Sequence, residues 1–174
     1  TDSASVEITP ILKPNYSEYE IFVDGDKDAQ IYDNGELIGT GHWKGRLEAG
    51  EHIIEAKKIS HTTITQKVIV VKDTPRKVSL SKPMPIYGTL EVKTRPSNAK
   101  VFIDNNTKEA GVTDFINSRL LIGPHHIKIV LPGYKTEEFD VNIKEGQTER
   151  INQSLTDFCD ATITCARSMP GTPR

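Results

Sequence analysis

The sequence of 174 residues is poor in the residues that mark several common protein classes. It has only two cysteines, one tryptophan and 6% aromatic residues, and its apolar runs are far shorter than the roughly 20 residues that span a bilayer. The 22 lysines and arginines are balanced by 24 acidic residues, so there is no basic excess to attract nucleic acid or an anionic membrane. We therefore expect no nucleic-acid partner and no membrane span in this segment.

Motifs of catalysis are also missing. The sequence has no Gly-x-Ser-x-Gly turn for a nucleophilic serine, no glycine-rich phosphate loop and no His-Glu-x-x-His zinc motif. We expect a protein that is not an enzyme and that uses no cofactor.

The two cysteines, Cys159 and Cys165, lie six positions apart near the C-terminus. A disulfide between them is a candidate for an exported protein, provided that the chain turns back between them. The alternative is two free thiols. Zinc is not expected, because no second Cys or His pair flanks them at ligand spacing.

The dominant pattern is an alternation of apolar and polar residues with a period of two. It is clearest at residues 67–71, 101–103, 126–130 and 139–143, which are rich in β-branched residues and bounded by turn residues. Turn pairs recur along the chain, and the pair Asn34-Gly35 favours a tight hairpin because both residues tolerate a positive φ. No apolar stripe of helical period accompanies them, so the sequence predicts an all-β chain.

The pattern occurs twice. Gly50-Glu-His52 corresponds to Gly123-Pro-His125 at an offset of 73 residues, and the same offset relates Val68 to Val141 and Val78 to Ile151. Gly39 corresponds to Gly111 at an offset of 72. The chain is therefore predicted to be two copies of a unit of about 70 residues, joined near the prolines of residues 81–85.

Each copy is expected to have six or seven short strands in two facing sheets, which form a small β-sandwich. The inward residues expected in the first copy are Ile31, Leu47, Ile54, Ala56, Val68, Val70 and Val78. Those expected in the second copy are Leu90, Val92, Val101, Ile103, Leu121, Ile127, Ile129, Val141 and Ile143.

The second copy resembles the PEGA repeat, which is named for a Pro-Glu-Gly-Ala turn. The ordered set of motifs comprises Gly88-Thr-Leu-Glu-Val92, Pro96-Ser-Asn-Ala99, Val101-Phe-Ile-Asp104, Gly111-Val-Thr113, Gly123-Pro-His125 and Pro132-Gly-Tyr134. The turn here is Pro-Ser-Asn-Ala, so its two middle residues differ from the family's. The first copy is a weaker match, with Asp26-Lys-Asp-Ala29 at the turn and no proline. It is expected to begin either near Tyr19 or near Val6.

The resemblance implies small β-sandwich modules of the immunoglobulin or transthyretin-like type. Such modules occur outside the cytoplasm of bacteria and archaea, often in tandem, in surface or lipid-anchored proteins. It implies no catalytic residues. We accordingly divide the chain into a first PEGA-like repeat at 1–84, a second at 85–156, and a C-terminal tail at 157–174 that carries both cysteines.

Glycines and histidines recur at equivalent places in the two copies. Gly50, Gly111 and Gly123 are expected at strand ends that need a positive φ. His52 and His125 each follow a turn glycine, and the simplest role for each ring is to pack at the end of the sheet and satisfy a backbone group.

An acidic turn, Asp24-Gly-Asp26-Lys-Asp28, places carboxylates at alternate positions. Such carboxylates can converge on a hard cation, which makes these three aspartates a calcium candidate. The rest of a calcium loop is absent, because Ala29 and Gly35 stand where glycine and a bidentate glutamate belong. The alternative is a solvated acidic turn.

Two function hypotheses follow. The first is a non-catalytic module in the periplasm or at the cell surface of a bacterium, which docks or spaces envelope proteins, with an exposed sheet edge as one means of contact. The second is a carbohydrate-binding module that stacks a cell-wall or dietary glycan on Trp43 and Tyr32. For Trp43, packing against the core or the sheet edge is the alternative role.

Overall fold

A computed structural model describes residues 15–158, and within them the chain is all β. It separates into two compact units between Pro85 and Ile86. The strands of unit 1 are β1 (Tyr16–Val23), β2 (Gln30–Asp33), β3 (Glu36–Thr40), β4 (His42–Glu48), β5 (Gly50–Lys57), β6 (Ile64–Val70) and β7 (Arg76–Leu80). Those of unit 2 are β8 (Tyr87–Arg95), β9 (Lys100–Ile103), β10 (Gly111–Val112), β11 (Phe115–Leu121), β12 (Gly123–Val130), β13 (Glu137–Ile143) and β14 (Thr148–Ser154).

Unit 2 is a sandwich of two sheets, with strand orders β10-β9-β12-β13 and β11-β8-β14. Unit 1 has the same order in two groups, β6-β5-β2-β3 and β4-β1-β7. In unit 1, however, the two groups form one continuous sheet, because the pair Thr40 and His42 joins β3 to β4. In both units the first strand runs parallel to the last and antiparallel to the fourth.

The first described strand of unit 1 has a counterpart in unit 2. Strand β1 occupies the place of β8, and their residues correspond at an offset of 71. Tyr19, Ile21 and Val23 of β1 are buried, and the candidate start near Tyr19 falls in this strand. The other candidate start, near Val6, lies outside the described residues.

Each unit buries its own apolar core. All seven inward residues expected in unit 1 are buried, and so are seven of the nine expected in unit 2. Val141 is partly buried against the core. Leu121 is a wrong prediction: a register shift between Asn117 and Leu120 in β11 places Leu120 in the core and leaves Leu121 half-buried. A one-residue shift reverses the face to which every later side chain points.

The turns follow the glycine predictions with one exception. Asn34 and Gly35 both have positive φ, 47° and 87°, and they close the β2–β3 hairpin as predicted. Gly50 and Gly123 also have positive φ. Gly111 does not have a positive φ. A glycine is required there because the ring of Phe115 lies where the Cβ atom of any other residue would be.

Candidate functional site

Trp43, the first candidate for a ligand platform, packs inward from β4. It lies against the core of unit 1. A Cβ atom at Gly45 would collide with the indole, and one at Gly39 would come within 3.0 Å of the Trp43 side chain. Phe115 covers Gly111 in the same way in unit 2. The half-buried Trp43 is therefore placed mainly as a packing residue.

Tyr32, the second candidate, lies on the outer face of β2, next to the buried Ile31. Its hydroxyl donates a hydrogen bond of 2.9 Å to Gln30 Oε1, and Lys57 Nζ lies 4.7 Å from the ring centroid. Since Trp43 shares the inward side of β4 with Leu47, the structure places the two aromatic rings on opposite faces and does not bring them together.

The acidic turn has a cation of its own. The Asp26 side chain is 3% exposed and accepts hydrogen bonds from Lys58 Nζ at 2.8 and 2.9 Å and from the Asp28 backbone N–H at 3.0 Å. Lys58 Nζ also lies 3.8 Å from the carboxylate of Asp28. Asp28 and Asp24 are both exposed. The Lys58 hydrogen bond lowers the pKa of Asp26 and in turn raises the pKa of Lys58. A calcium ion at this turn would have to displace Lys58.

Within residues 15–158 no three His, Cys, Asp or Glu side chains are grouped so as to hold a metal ion. Cys159 and Cys165 lie outside the described residues, so their pairing stays a prediction. No helix in the described part of the chain is long and apolar enough to cross a membrane.

The histidine prediction is confirmed in both units. His52 Nδ1 lies 2.8 Å from both carboxylate oxygens of Asp33, and Nε2 lies 2.9 Å from the Glu48 carbonyl oxygen. His125 Nδ1 lies 2.7 Å from Asp104, and Nε2 lies 2.8 Å from the Leu121 carbonyl oxygen. Carboxylate and carbonyl oxygens only accept hydrogen bonds, so each ring satisfies both partners when both its nitrogens carry protons.

A glutamate at the centre of each three-stranded group lies between two basic side chains. Glu20 of β1 lies 2.7 Å from Lys77 of β7 and 3.1 Å from His42, and these hydrogen bonds, Lys77 first, lower its pKa. Glu91, at the same place in β8, contacts Lys93 at 2.7 Å and Arg150 of β14 at 2.9 Å. Lys93 and then Arg150 lower the pKa of Glu91.

An aromatic contact is also repeated at the start of each unit. The Arg46 guanidinium lies 4.6 Å from the ring centroid of Tyr16, and that of Arg119 lies 5.2 Å from the ring of Tyr87. Both arginines are on the fourth strand of their unit and both tyrosines open the first. The sequence analysis did not predict these pairs. The repeat offsets could have revealed them, because 71 residues separate the two tyrosines and 73 separate the two arginines.

Each unit has an open cavity of about 530 Å³ beside the turn after its first strand. The cavity of unit 2 is lined by polar and charged residues, which include Arg95, Ser97 and Asp114 but no histidine. The cavity of unit 1 is lined in part by Thr40 and His42 and contains no serine or cysteine.

An exposed apolar patch on unit 1 was missed at the sequence level. Ile53 of β5, Ile69 of β6 and Val71 are 44%, 54% and 56% exposed, and Ile53 and Ile69 are diagonal neighbours across the two strands. We call these three residues the β5–β6 patch. An offset of 73 residues places polar residues at the same positions of unit 2: His126, Asn142 and Lys144.

His126 stands at the centre of that polar face. Its Nδ1 lies 2.8 Å from Asp140 and its Nε2 lies 3.7 Å from Glu138, both on the neighbouring strand β13. The hydrogen bond to Asp140 is the main cause that raises the pKa of His126 above the ordinary value of 6.5.

Comparison with known protein families decides the nature of unit 2. The PEGA domain model matches residues 87–157, which include all seven strands of this unit. Residues 87–157 form a PEGA domain. The His125–Asp104 contact and the Phe115 ring on Gly111 are thus internal contacts of this PEGA domain.

Among solved structures, the chain is similar to the TIE protein of Bacillus anthracis, with 20% identity and a TM-score of 0.45 over 82% of this chain and 34% of that one. The chain thus spans about a third of that structure's length. It is also similar to GBS52, the minor pilin of Streptococcus agalactiae, with 12% identity and a TM-score of 0.40 over 90% of this chain and 99% of the pilin. A streptococcal ancillary pilin matches with 12% identity and a TM-score of 0.32, over 79% of this chain and 62% of that one. Curated proteins yield no match.

Proposed function

We propose that the protein is a non-catalytic, extracytoplasmic module that docks and spaces components of the cell envelope through protein–protein contacts. The PEGA domain supports a structural or binding role outside the cytoplasm. The observation that carries the docking role is the β5–β6 patch of unit 1.

The patch is a difference between two otherwise matched faces. The sheet that contains β5 and β6 buries its inward residues in the core, so Ile53, Ile69 and Val71 are not needed to build unit 1. Unit 2 builds the same sheet with polar residues at these three positions. Clustered apolar side chains that stay exposed on one unit are typical of a surface that a protein partner covers.

We further propose that unit 1 is a diverged PEGA-like repeat, so that the domains are 1–84 and 85–156, followed by a tail at 157–174. The shared strand order supports this proposal. Three contacts of unit 1 that recur at corresponding positions of unit 2 also support it. His52–Asp33 corresponds to His125–Asp104. Glu20–Lys77 corresponds to Glu91–Arg150, and Tyr16–Arg46 corresponds to Tyr87–Arg119. Two modules in tandem would act as a spacer between the components that each module contacts.

The docking role can be tested by site-specific photo-crosslinking in the envelope of the source organism. A photoreactive amino acid replaces Ile53 or Ile69 in turn, and Asn142, the counterpart of Ile69 in unit 2, serves as the matched control. We expect a discrete adduct with one envelope protein from positions 53 and 69 and no such adduct from position 142. No adduct from unit 1, or the same adduct from all three positions, would contradict the proposal.

The glycan alternative has a separate readout. Binding on a glycan array that is lost in Trp43→Ala, with the melting temperature of unit 1 retained, would support a carbohydrate-binding module instead. Because Trp43 packs over Gly39 and Gly45, we expect Trp43→Ala to lower the melting temperature without a change in glycan binding.

A further inference from the structure

The two units end their four-stranded groups in edge strands of equal length and unlike charge. Strand β6 of unit 1 and β13 of unit 2 each have seven residues, and among residues 15–158 each is hydrogen-bonded to one neighbouring strand only. Lys67 is the central residue of β6, and Asp140 is the central residue of β13 at an offset of 73. Both side chains are exposed, at 61% and 91%.

The backbone of Lys67 faces the open edge of its sheet. Its partner across the ladder, Ile53, donates its N–H to Asn34 Oδ1 and accepts from the Asn34 N–H, so the polar groups of Ile53 point away from β6. In an antiparallel ladder two opposite residues either exchange both hydrogen bonds or neither. The N–H and C=O of Lys67 therefore point outward.

The same geometry exposes the backbone of Asp140. Opposite it, His126 donates its N–H to Asp104 Oδ1 and its carbonyl oxygen accepts from the Asp104 N–H. The N–H and C=O of Asp140 therefore also point to an open edge. Lys67 and Asp140 thus present matching donors and acceptors with side chains of opposite charge.

Charge decides which edges can pair. Strand β6 carries Lys67 and no acidic residue, whereas β13 carries Glu137, Glu138 and Asp140 and no basic residue. Charges on edge strands ordinarily prevent sheets from joining edge to edge. Here they oppose pairing of two like edges, because Lys67 would face Lys67 or acids would face acids, but they favour pairing of β6 with β13.

We propose that β6 of one copy pairs antiparallel with β13 of a second copy, with Lys67 opposite Asp140. This register also sets Glu138 diagonally across from Lys67, and on the inner side it places Val68 against Phe139 and Ile64 against Ile143. The present partners of the two central side chains, the exposed Glu51 and the half-buried His126, remain beside them. Because the two surfaces differ, the association is head to tail and produces open chains or closed rings.

This self-association needs only the purified protein and goes beyond the docking role, so either can fail without the other. The test is sedimentation velocity of the full chain over a concentration series at low ionic strength. We expect reversible association that weakens as salt is added. Lys67→Glu alone or Asp140→Lys alone brings like charges together and should weaken association about tenfold or more.

Mixing the two variants is the sharpest step. In an equimolar mixture of Lys67→Glu and Asp140→Lys chains, every β6 edge finds a β13 edge of opposite charge, so association should return. Lys108→Glu, the same charge change in an exposed turn between β9 and β10, is the matched control and should associate as the unaltered chain does. In NMR spectra, the amide signals of Lys67 and Asp140 should shift with protein concentration.

The proposal would be overturned by an unaltered chain that stays monomeric over the series, by no recovery in the mixture, or by an equal loss in Lys108→Glu. Association that persists in both single variants would point to another surface, such as the β5–β6 patch, and would equally overturn the pairing of these edges.

Discussion

His52 Nδ1 and the Asp33 carboxylate lie 2.8 Å apart in unit 1, and His125 and Asp104 repeat the contact at 2.7 Å in unit 2. In each unit the far side of the ring reaches the backbone carbonyl at the end of the fourth strand. One side chain thereby ties together the second, fourth and fifth strands around a turn glycine. The arrangement fixes the end of a strand. Both ring nitrogens already have hydrogen-bond partners, so neither is free to bind a ligand or transfer a proton.

We expect His52→Ala to destabilise unit 1 by about 1–3 kcal/mol, because the mutation leaves a largely buried carboxylate and a carbonyl without their donor. Urea unfolding followed by circular dichroism measures the change. Asp33→Asn should cost less, and the double variant should cost less than the sum of the two. A loss below about 0.5 kcal/mol for His52→Ala would show that water replaces the ring.

His126 gives unit 2 a pH dependence of a defined sign. Its pKa is raised by Asp140, so the protonated ring is favoured in the folded state, and its contribution is complete below the ordinary pKa of 6.5. That contribution is lost as the pH rises through the raised pKa. NMR titration should give a midpoint above 6.5, and Asp140→Asn should move it down. An unchanged midpoint in Asp140→Asn would refute this cause.

The Asp26–Lys58 pair should respond to acid in the opposite sense. Lys58 lowers the pKa of Asp26, so the stabilisation is present above the ordinary value of 3.8 and is lost as the pH falls through the lowered pKa. Lys58→Met leaves the Asp26 carboxylate without its cation and should destabilise unit 1 more than Asp28→Asn, which alters an exposed carboxylate. Thermal melts of the two variants at neutral and acidic pH make the comparison.

Gly111→Ala should destabilise the PEGA domain by about 1–3 kcal/mol, since the new methyl group would collide with the Phe115 ring. Phe115→Leu in the same chain should recover part of the loss by making room. The four-variant cycle, measured by chemical unfolding, isolates the coupling of these two positions. Strictly additive losses would mean that the ring is not the obstacle.

Much of the architecture is predictable from the sequence, because alternation with a period of two and paired turns reports directly on half-buried strands. The exceptions have local causes. Leu120 replaces Leu121 in the core because the β11 bulge, where the Arg119 N–H bonds to Asn117 Oδ1, adds a residue that periodicity does not reveal. Gly111 is required by an aromatic ring four residues later rather than by its own φ.

The candidate site is less predictable because it depends on partners that are distant in the sequence. Lys58, which bonds to Asp26, lies 32 residues further along the chain, and the residues of the acidic turn do not indicate that a lysine will pair with them. Ile53 and Ile69 look like core residues of apolar strands until their neighbours His52, Ile54, Val68 and Val70 are seen to point inward. Only the paired strands show that the remaining apolar residues face solvent.

Trp43 also makes the two units distinguishable by optical means. It is the single tryptophan of the chain, and Phe115 takes its place in unit 2. Indole emission therefore reports on unit 1 alone, whereas far-ultraviolet ellipticity reports on the strands of both units. A difference between the two unfolding curves would measure how independently the modules melt, without any label added to the protein.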